Sequence, residues 1–201
     1  MSVWFTSDLH IHHRFVAGAR MLGSYDIDRD LITPEMVEAH DQMLAESIDD
    51  VVKKDDVVWF LGDLTGGGNV EAGLDFIRAR PGAWHMITGN HDKPHPLHSD
   101  SHKWQRKFLE AFESVQMAAR RSVVVDGVKH NVMLSHFPYT EDHSPESRHM
   151  EWRLRDEGDF LIHGHTHSRE KFSGKQIHVG VDAHDFAPVH LDYIVEAIRQ
   201  Y

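Results

Sequence analysis

No cysteine occurs anywhere in the 201 residues, and that one absence excludes several chemistries together. Disulfides, thiolate metal sites, iron–sulfur clusters and a cysteine nucleophile are all ruled out. Any bound metal must therefore sit on nitrogen and oxygen donors. Positive charge is also short: 21 Lys and Arg stand against 32 Asp and Glu, a formal net charge of −11. Binding to long nucleic acid needs cations set against phosphates, so a small substrate is the easier expectation. Long hydrophobic runs are missing as well. The opening Met1-Ser2-Val3-Trp4-Phe5-Thr6-Ser7-Asp8 has neither a basic leader nor an extended apolar stretch. No later run approaches the ~20 apolar residues that span a bilayer. The expectation is a soluble, cytoplasmic protein without a membrane partner. Its length fits a single domain over residues 1–201, large enough to bury a core unaided by staples. Repeats, low-complexity tracts and interdomain linkers are absent too, and nothing here fixes an oligomeric state.

What is present is a series of short apolar runs, each ending in Asp, Gly, Asn or His. They fall at Val3–Thr6, Val57–Leu61, Trp84–Thr88, Val132–Ser135, Phe160–His163 and Ile177–Val181. Short, rich in β-branched and aromatic residues and bounded by breakers, they read as buried strands. Helices are expected between them. One follows Thr33-Pro34, an N-cap with proline at the first helical position, and places Val37, Met43 or Leu44, Ile48 and Val51 near one face. Others are expected over Val70–Ala79 behind the cap Asn69, over about Ser101–Phe112, and over about Leu191–Gln200. Strands alternating with helices predict an α/β sheet with helices outside. Asp126-Gly127, between Val123–Val125 and the run from Val128 to Leu134, predicts a hairpin, because that pair supplies the positive φ angles of a tight turn. Thr65–Asn69 and Pro138–His149 read as loops.

The chain has 19 His, and their placement matters more than their number. Five clusters of metal-capable side chains stand at or just past strand ends, where open α/β sheets place their sites. They are Asp8-Leu9-His10, Gly62-Asp63, Gly89-Asn90-His91-Asp92, Ser135-His136 and Gly164-His165-Thr166-His167. Singly, each has an ordinary reading as a capped turn, a Gly-Asp turn or a hydrogen-bonded core histidine. Jointly, their fixed order supplies the donor types of a two-cation site. Only a carboxylate has two oxygens to share between cations, so Asp63 or Asp8 is the candidate bridge.

This order resembles the calcineurin-like metallophosphoesterase superfamily, over about residues 3 to 190. The segment Gly180 to Val189 also looks like the C-terminal strand and turn of its small bacterial and phage members. The resemblance implies a four-layer α-β-β-α sandwich of two packed mixed sheets, with the metal site at the strand C-terminal ends. It further implies that Asp8, His10 and His167 hold one divalent cation, that Asn90, His136 and His165 hold a second, and that Asp63 bridges them. Such a pair acidifies a shared water and aligns it for in-line attack on phosphorus. His91 then protonates the leaving oxygen, since imidazole titrates near working pH. Asp92 either orients that ring or caps a turn. His13, three residues after His10, touches substrate or supports the ligands. A nitrogen and oxygen donor set suits manganese, iron, zinc or nickel, and the resemblance favours manganese.

Asp63 is followed by Leu64-Thr65-Gly66-Gly67-Gly68, without the Asp-Arg pair of the protein phosphatases or the tyrosine ligand of the purple acid phosphatases. The chain also lacks room for the capping domain of the recombination nucleases. A compact phosphodiesterase remains, with 2′,3′-cyclic nucleotides or similar small diesters as first expectation on analogy. Specificity is expected in the loops at Thr65–Asn69, Lys93–Asp100 and Pro138–His149. Two alternatives are a non-catalytic scaffold of the same fold and a nuclease on short single strands. Lys103-Trp104-Gln105-Arg106-Lys107-Phe108 is the single hint of the latter, and an amphipathic helix explains it more simply.

Overall fold

In the computed structural model, which describes residues 1–140, 142 and 146–201, the apolar runs assemble into two five-stranded sheets. The first takes β1 (Val3–Thr6), β2 (Val57–Phe60), β3 (Ala83–Ile87) and β4 (Ser114–Gln116) in parallel, with β10 (Val189–His190) antiparallel beside β1. Its order is β10-β1-β2-β3-β4. The second, ordered β5-β6-β7-β9-β8, uses β5 (Ala118–Val125), β6 (Val128–Ser135), β7 (Phe160–His163), β8 (Phe172–Ser173) and β9 (Gln176–His178). The expected hairpin forms between β5 and β6, where Asp126 and Gly127 take φ of 49° and 82°. Those angles are the ones a two-residue turn demands.

The two sheets pack face to face. Phe5, Leu61 and Ile87 from the first meet Val123, Val125, Val132, Leu134, Ile162 and Ile177 from the second in one apolar cluster. On the other face of the first sheet, Val58, Phe60, Trp84 and Met86 are covered by three helices. These are α2 (Pro34–Val51), α3 (Val70–Arg78) and α4 (Ser101–Phe108), burying Leu44, Ile48, Leu74, Ile77 and Phe108. The caps form as the sequence predicts. Thr33 accepts from Met36 N–H at 3.4 Å and Asn69 from Ala72 N–H at 3.2 Å, satisfying amides that a helix start leaves open. Truncating a side chain such as Leu44, fully buried in this layer, costs about 2–5 kcal/mol.

The expected sandwich of packed mixed sheets with outer helices is what forms, though its covering is uneven. α5 (Leu191–Gln200) buries Ile194 and Ile198 against both sheets, in the cluster between them. The outer side of the β5–β6 hairpin faces solvent, with Val124 exposed. The expected strand Ile177–Val181 is shorter, ending at His178, and the chain then makes a 3-10 turn at Val181–Ala183. The helix expected to reach Phe112 stops at Phe108. One helix was unexpected: α1 (Arg14–Leu22), closed by Gly23 at φ 74°. Among the described residues no helix is long and apolar enough to cross a membrane.

Candidate metal centre

Adjacent parallel strands end at the same level, so the residues just past them meet. Past β1, Asp8 N–H donates to Gly62 O (2.9 Å), His10 N–H to Asp63 O (3.0 Å) and Ile11 N–H to Leu64 O (2.8 Å). The Asp8–His10 and Gly62–Asp63 turns thereby become one sheet-like extension. Past β7, His165 N–H reaches the Asp8 carboxylate at 3.0 and 3.2 Å, and Gly164 N–H reaches His136 O at 3.0 Å. Two close approaches require glycine. A Cβ on Gly164 would collide with Ser7 and the Asp8 carboxylate, and one on Gly89 would collide with Asp63.

The backbone is strained where donors gather. Asp8, His10, Asp63, His165 and His167 all take left-handed φ, between 50° and 72°. A non-glycine residue there is uncommon, and such strain persists only where surrounding structure over-determines it. Here the surrounding turn hydrogen bonds do so, and they turn five side chains into one space.

That space holds the expected donors. His10 Nε2 lies 3.1 Å from His167 Nε2 and 3.7 Å from Asp63 Oδ2. The same Asp63 oxygen is 3.5 Å from His136 Nε2, which is 3.2 Å from Asn90 Oδ1. Donor atoms of Asp8, His10 and His167 fall within 4.8 Å of one another, as do those of Asp8, Asp63 and His136. Asp8, His10, Asp63, His136 and His165 are all buried. His165 rings the same cavity, 5.2 Å from His136 between ring centroids.

The residues present fit divalent cations. Two carboxylates buried side by side repel unless positive charge joins them. His136 directs Nδ1 at Leu61 O (2.7 Å) and His167 directs Nδ1 at Asp182 Oδ2 (3.0 Å). In its neutral form each would thus donate from Nδ1 and present an Nε2 lone pair inward. Two imidazole nitrogens held by one cation at about 2.0–2.2 Å each would sit roughly 3 Å apart, which matches the His10 and His167 pair. Burial also keeps His10 neutral: desolvation holds it well below the ordinary imidazole range, outweighing the opposite pull of Asp63. His136 runs the other way. Burial lowers it, but the Asp63 charge beside it dominates and raises it to about 9, while Asp63 is held well below the carboxylate range despite burial.

His91 stands apart from the buried set. Its side chain is 44% exposed, with Nε2 4.0 Å from Asp63 Oδ2, and its backbone N–H donates to Asp63 Oδ1 at 3.0 Å. It is therefore placed beside the donors yet open to a substrate. Asp92 does not orient that ring. Its Oδ2 accepts from Gly89 N–H (2.7 Å) and Asp63 N–H (2.8 Å), and its Oδ1 from Leu64 N–H (3.0 Å). Both oxygens are committed to backbone, so a catalytic Asp92 is corrected to a turn cap. Burial and then neighbouring Asp63 raise its carboxyl to about 7. His13 has two roles: Nδ1 caps α1 by accepting from Val16 N–H at 3.1 Å, and the ring lines the cavity against Gly66.

The cavity measures about 430 Å³ and is lined by His10, Asp63, Asn90, His165 and His167, by His13 and His91, and on its apolar side by Phe15, Val16 and Tyr25. Its apolar side thus comes from α1 and the turn after it, where specificity was not expected. Of the loops expected to carry specificity, Lys93–Asp100 reaches Asn90 through His98, whose Nε2 is 3.0 Å from Asn90 O, and Pro138–His149 reaches His165 through Asp142, 3.4 Å from His165 Nε2; residues 141 and 143–145 lie outside the described residues. Arg20, Tyr25, Asp142, Arg153 and Asp182 were all missed. No local spacing ties them to the motifs, since their contacts cross 11 to 162 residues of chain. The nuclease hint dissolves into packing: Trp104 lies against the core with Phe108 and Phe112.

Comparisons with known proteins agree with this geometry. The chain is 47% identical over 197 residues to the Gene 66 protein of Mycobacterium phage D29, covering 94% of this chain and 92% of that one. It is likewise 47% identical over 192 residues to the Gene 66 protein of Mycobacterium phage L5, covering 90% and 87%. An uncharacterized protein of Methanocaldococcus jannaschii is 26% identical over 172 residues, covering 82% and 78%. In fold, the chain is similar to the crystal structure of a protein of unknown function from Aquifex aeolicus, with a TM-score of 0.66, 20% identity and 98% of both chains covered. The family model described as calcineurin-like phosphoesterase matches residues 1–169, so with these motifs converging in space the chain belongs to the calcineurin-like phosphoesterase family.

Proposed function

We propose that this metal-dependent phosphoesterase hydrolyses small phosphodiesters with two divalent cations sharing Asp63. One observation carries the reading: Asp63 Oδ2 faces His10 Nε2 at 3.7 Å and His136 Nε2 at 3.5 Å, while Oδ1 is tied to His91 N–H. A single carboxylate oxygen between two groups of donors is the arrangement a bridging ligand needs. Asp8, His10 and His167 would hold one ion, and Asn90, His136 and His165 the other. Manganese is the leading candidate, with iron, zinc and nickel compatible with the same donors.

When bound, the pair supplies an acidified water and neutralises charge growing on the phosphoryl oxygens. The chain's own residues do the rest. His91, exposed at the rim, protonates the departing oxygen. His13 faces it across the cavity, with ring centroids 6.5 Å apart, and orients the phosphoryl group. Phe15 and Tyr25, 6.2 Å apart, offer planar surface to a base, which supports a nucleotide and is compatible with 2′,3′-cyclic substrates.

The test is an activity panel on protein stripped of metal and reloaded with manganese. It spans bis-p-nitrophenyl phosphate, both classes of cyclic nucleotide and simple monoesters. Diester turnover that appears only with metal, and is fastest on 2′,3′-cyclic nucleotides, is expected. Turnover in the stripped protein contradicts the reading, and monoester preference replaces its substrate class. No hydrolysis by the loaded protein would favour a non-catalytic scaffold.

A further inference from the structure

Both histidines of Gly164-His165-Thr166-His167 have a carboxylate at one ring nitrogen, and each carboxylate is gripped by a buried arginine. His167 Nδ1 meets Asp182 Oδ2 at 3.0 Å. Asp182 receives Arg20 Nε at 2.9 Å and Nη2 at 2.6 Å, and the Arg20 side chain is 2% exposed. His165 Nε2 lies 3.4 Å from Asp142 Oδ2, with both side chains 1% exposed. Asp142 receives Arg153 Nη2 at 3.0 Å, from a side chain 2% exposed, and Arg148 N–H at 3.0 Å. Neither carboxylate belongs to the five metal motifs, although Asp182 lies within the Gly180–Val189 segment.

We propose that Asp182 and Asp142 are positioning residues, one for each cation, and that Arg20 and Arg153 hold them charged and in place. The proposal rests on the two-cation reading above. A buried carboxylate stays ionised only if paired and hydrogen-bonded. Ionised, it accepts from one imidazole nitrogen, fixing the tautomer, locking the ring and making the opposite nitrogen a better donor to metal. The geometry fits at His167, whose Nε2 points at His10 Nε2. At His165, the Asp142 carboxylate stands 3.4 Å from Nε2 as an ion-pair contact outside hydrogen-bond geometry, and Nδ1 would be the ligating nitrogen.

The two clamps differ in reach. Arg20 also donates to the carbonyls of Asp8 (2.8 Å) and Leu9 (3.3 Å). One guanidinium therefore sets two ligands, Asp8 through its backbone and His167 through Asp182. Its remaining edge meets His40 Nε2 at 3.1 Å, and His40 is bonded in turn to Asp41 at 2.9 Å. The Asp142 clamp meets His165, and its Arg148 side chain is 43% exposed.

The experiment strips metal from the parent protein, Asp182→Asn and Asp142→Asn, then titrates each with Mn²⁺. It follows heat of binding, bound metal per chain and the electron paramagnetic resonance of the coupled pair. The parent is expected to bind two ions. Each single variant is expected to bind one as the parent does and the other about 10–100-fold more weakly, losing the coupled signal at limiting metal. Because Asp182→Asn leaves Arg20 buried beside a neutral group, the double variant Arg20→Gln/Asp182→Asn provides a folded control with the same expected weakening. Circular dichroism of the metal-free proteins separates loss of fold from loss of binding. Parent affinities at both sites in folded Asp182→Asn and Asp142→Asn overturn the proposal. A parent that binds fewer than two ions overturns the two-cation reading itself, a result distinct from the first.

Discussion

The two halves of the proposed centre are built differently. Around Asp8, His10 and His167, the donors hang from β1 and β7 and are backed by Arg20, which ties Asp182 to the carbonyls of Asp8 and Leu9. Around Asn90, His136 and His165, orientation comes from the Leu61 carbonyl at 2.7 Å and from Asp142, which lies in the segment between β6 and β7. One half is rooted in the packed sheet, the other partly in a connection. A cation should therefore be held more tightly in the first, because its ligands are fixed before the ion arrives. The difference shows that the strand ends supply the donors while remote charge pairs grade their rigidity.

Asp63 belongs to both halves, so altering it has the largest effect. Asp63→Ala is expected to lower kcat/KM on a diester by about 10³-fold or more, the equivalent of several kcal/mol of lost charge stabilisation, with bound metal falling for both ions. Asp92 sits beneath the junction, and Asp92→Ala strands the amides of Gly89, Asp63 and Leu64. At about 1–3 kcal/mol for each unsatisfied buried group, urea unfolding should show a loss of several kcal/mol, whereas a catalytic Asp92 would cost rate and leave stability intact. His91→Ala spares the donors and should lower kcat about 10²-fold or more on poor leaving groups. Its effect should shrink on p-nitrophenolate, and a uniform loss across leaving groups would refute the proton-donor role.

Smaller effects probe the asymmetry directly. A graded chelator titration of the manganese-loaded protein should remove one ion before the other, with Asp142→Asn widening the gap and Asp182→Asn narrowing it. Simultaneous loss in all three proteins would erase the distinction between the halves. Far from both, Val124→Thr on the exposed hairpin should change stability by no more than about 0.5 kcal/mol, since Val124 is 62% exposed.

Most of the scaffold was legible because local chemistry wrote it. Apolar runs ended by Asp, Gly or His became β1, β2, β3, β6 and β7, and Asp126-Gly127 made its hairpin. Thr33 and Asn69 capped α2 and α3 as their side chains predict. α1 was not legible: its cap is His13, an unusual one, and Gly18 interrupts the helix where a Cβ would strike Ile32. Within the site, motif order named the residues that the fold brings together, but three features could not be read. The left-handed backbone at Asp8, His10, Asp63, His165 and His167 follows from contacts between turns. Asp92 looks the same in sequence whether it serves His91 or three amides. The carboxylates of Asp142 and Asp182 reach their histidines only after the sheets close, and the Pro138–His149 and Gly180–Val189 segments that carry them do not tell which side chain will face a donor.

Crystals grown with manganese, with data collected at the absorption edge, put the account to its most direct trial. Two anomalous peaks should flank the Oδ2 atom of Asp63, the first against His10 and His167 and the second against His136 and Asn90. A lone peak, or metal lodged away from that oxygen, would contradict it.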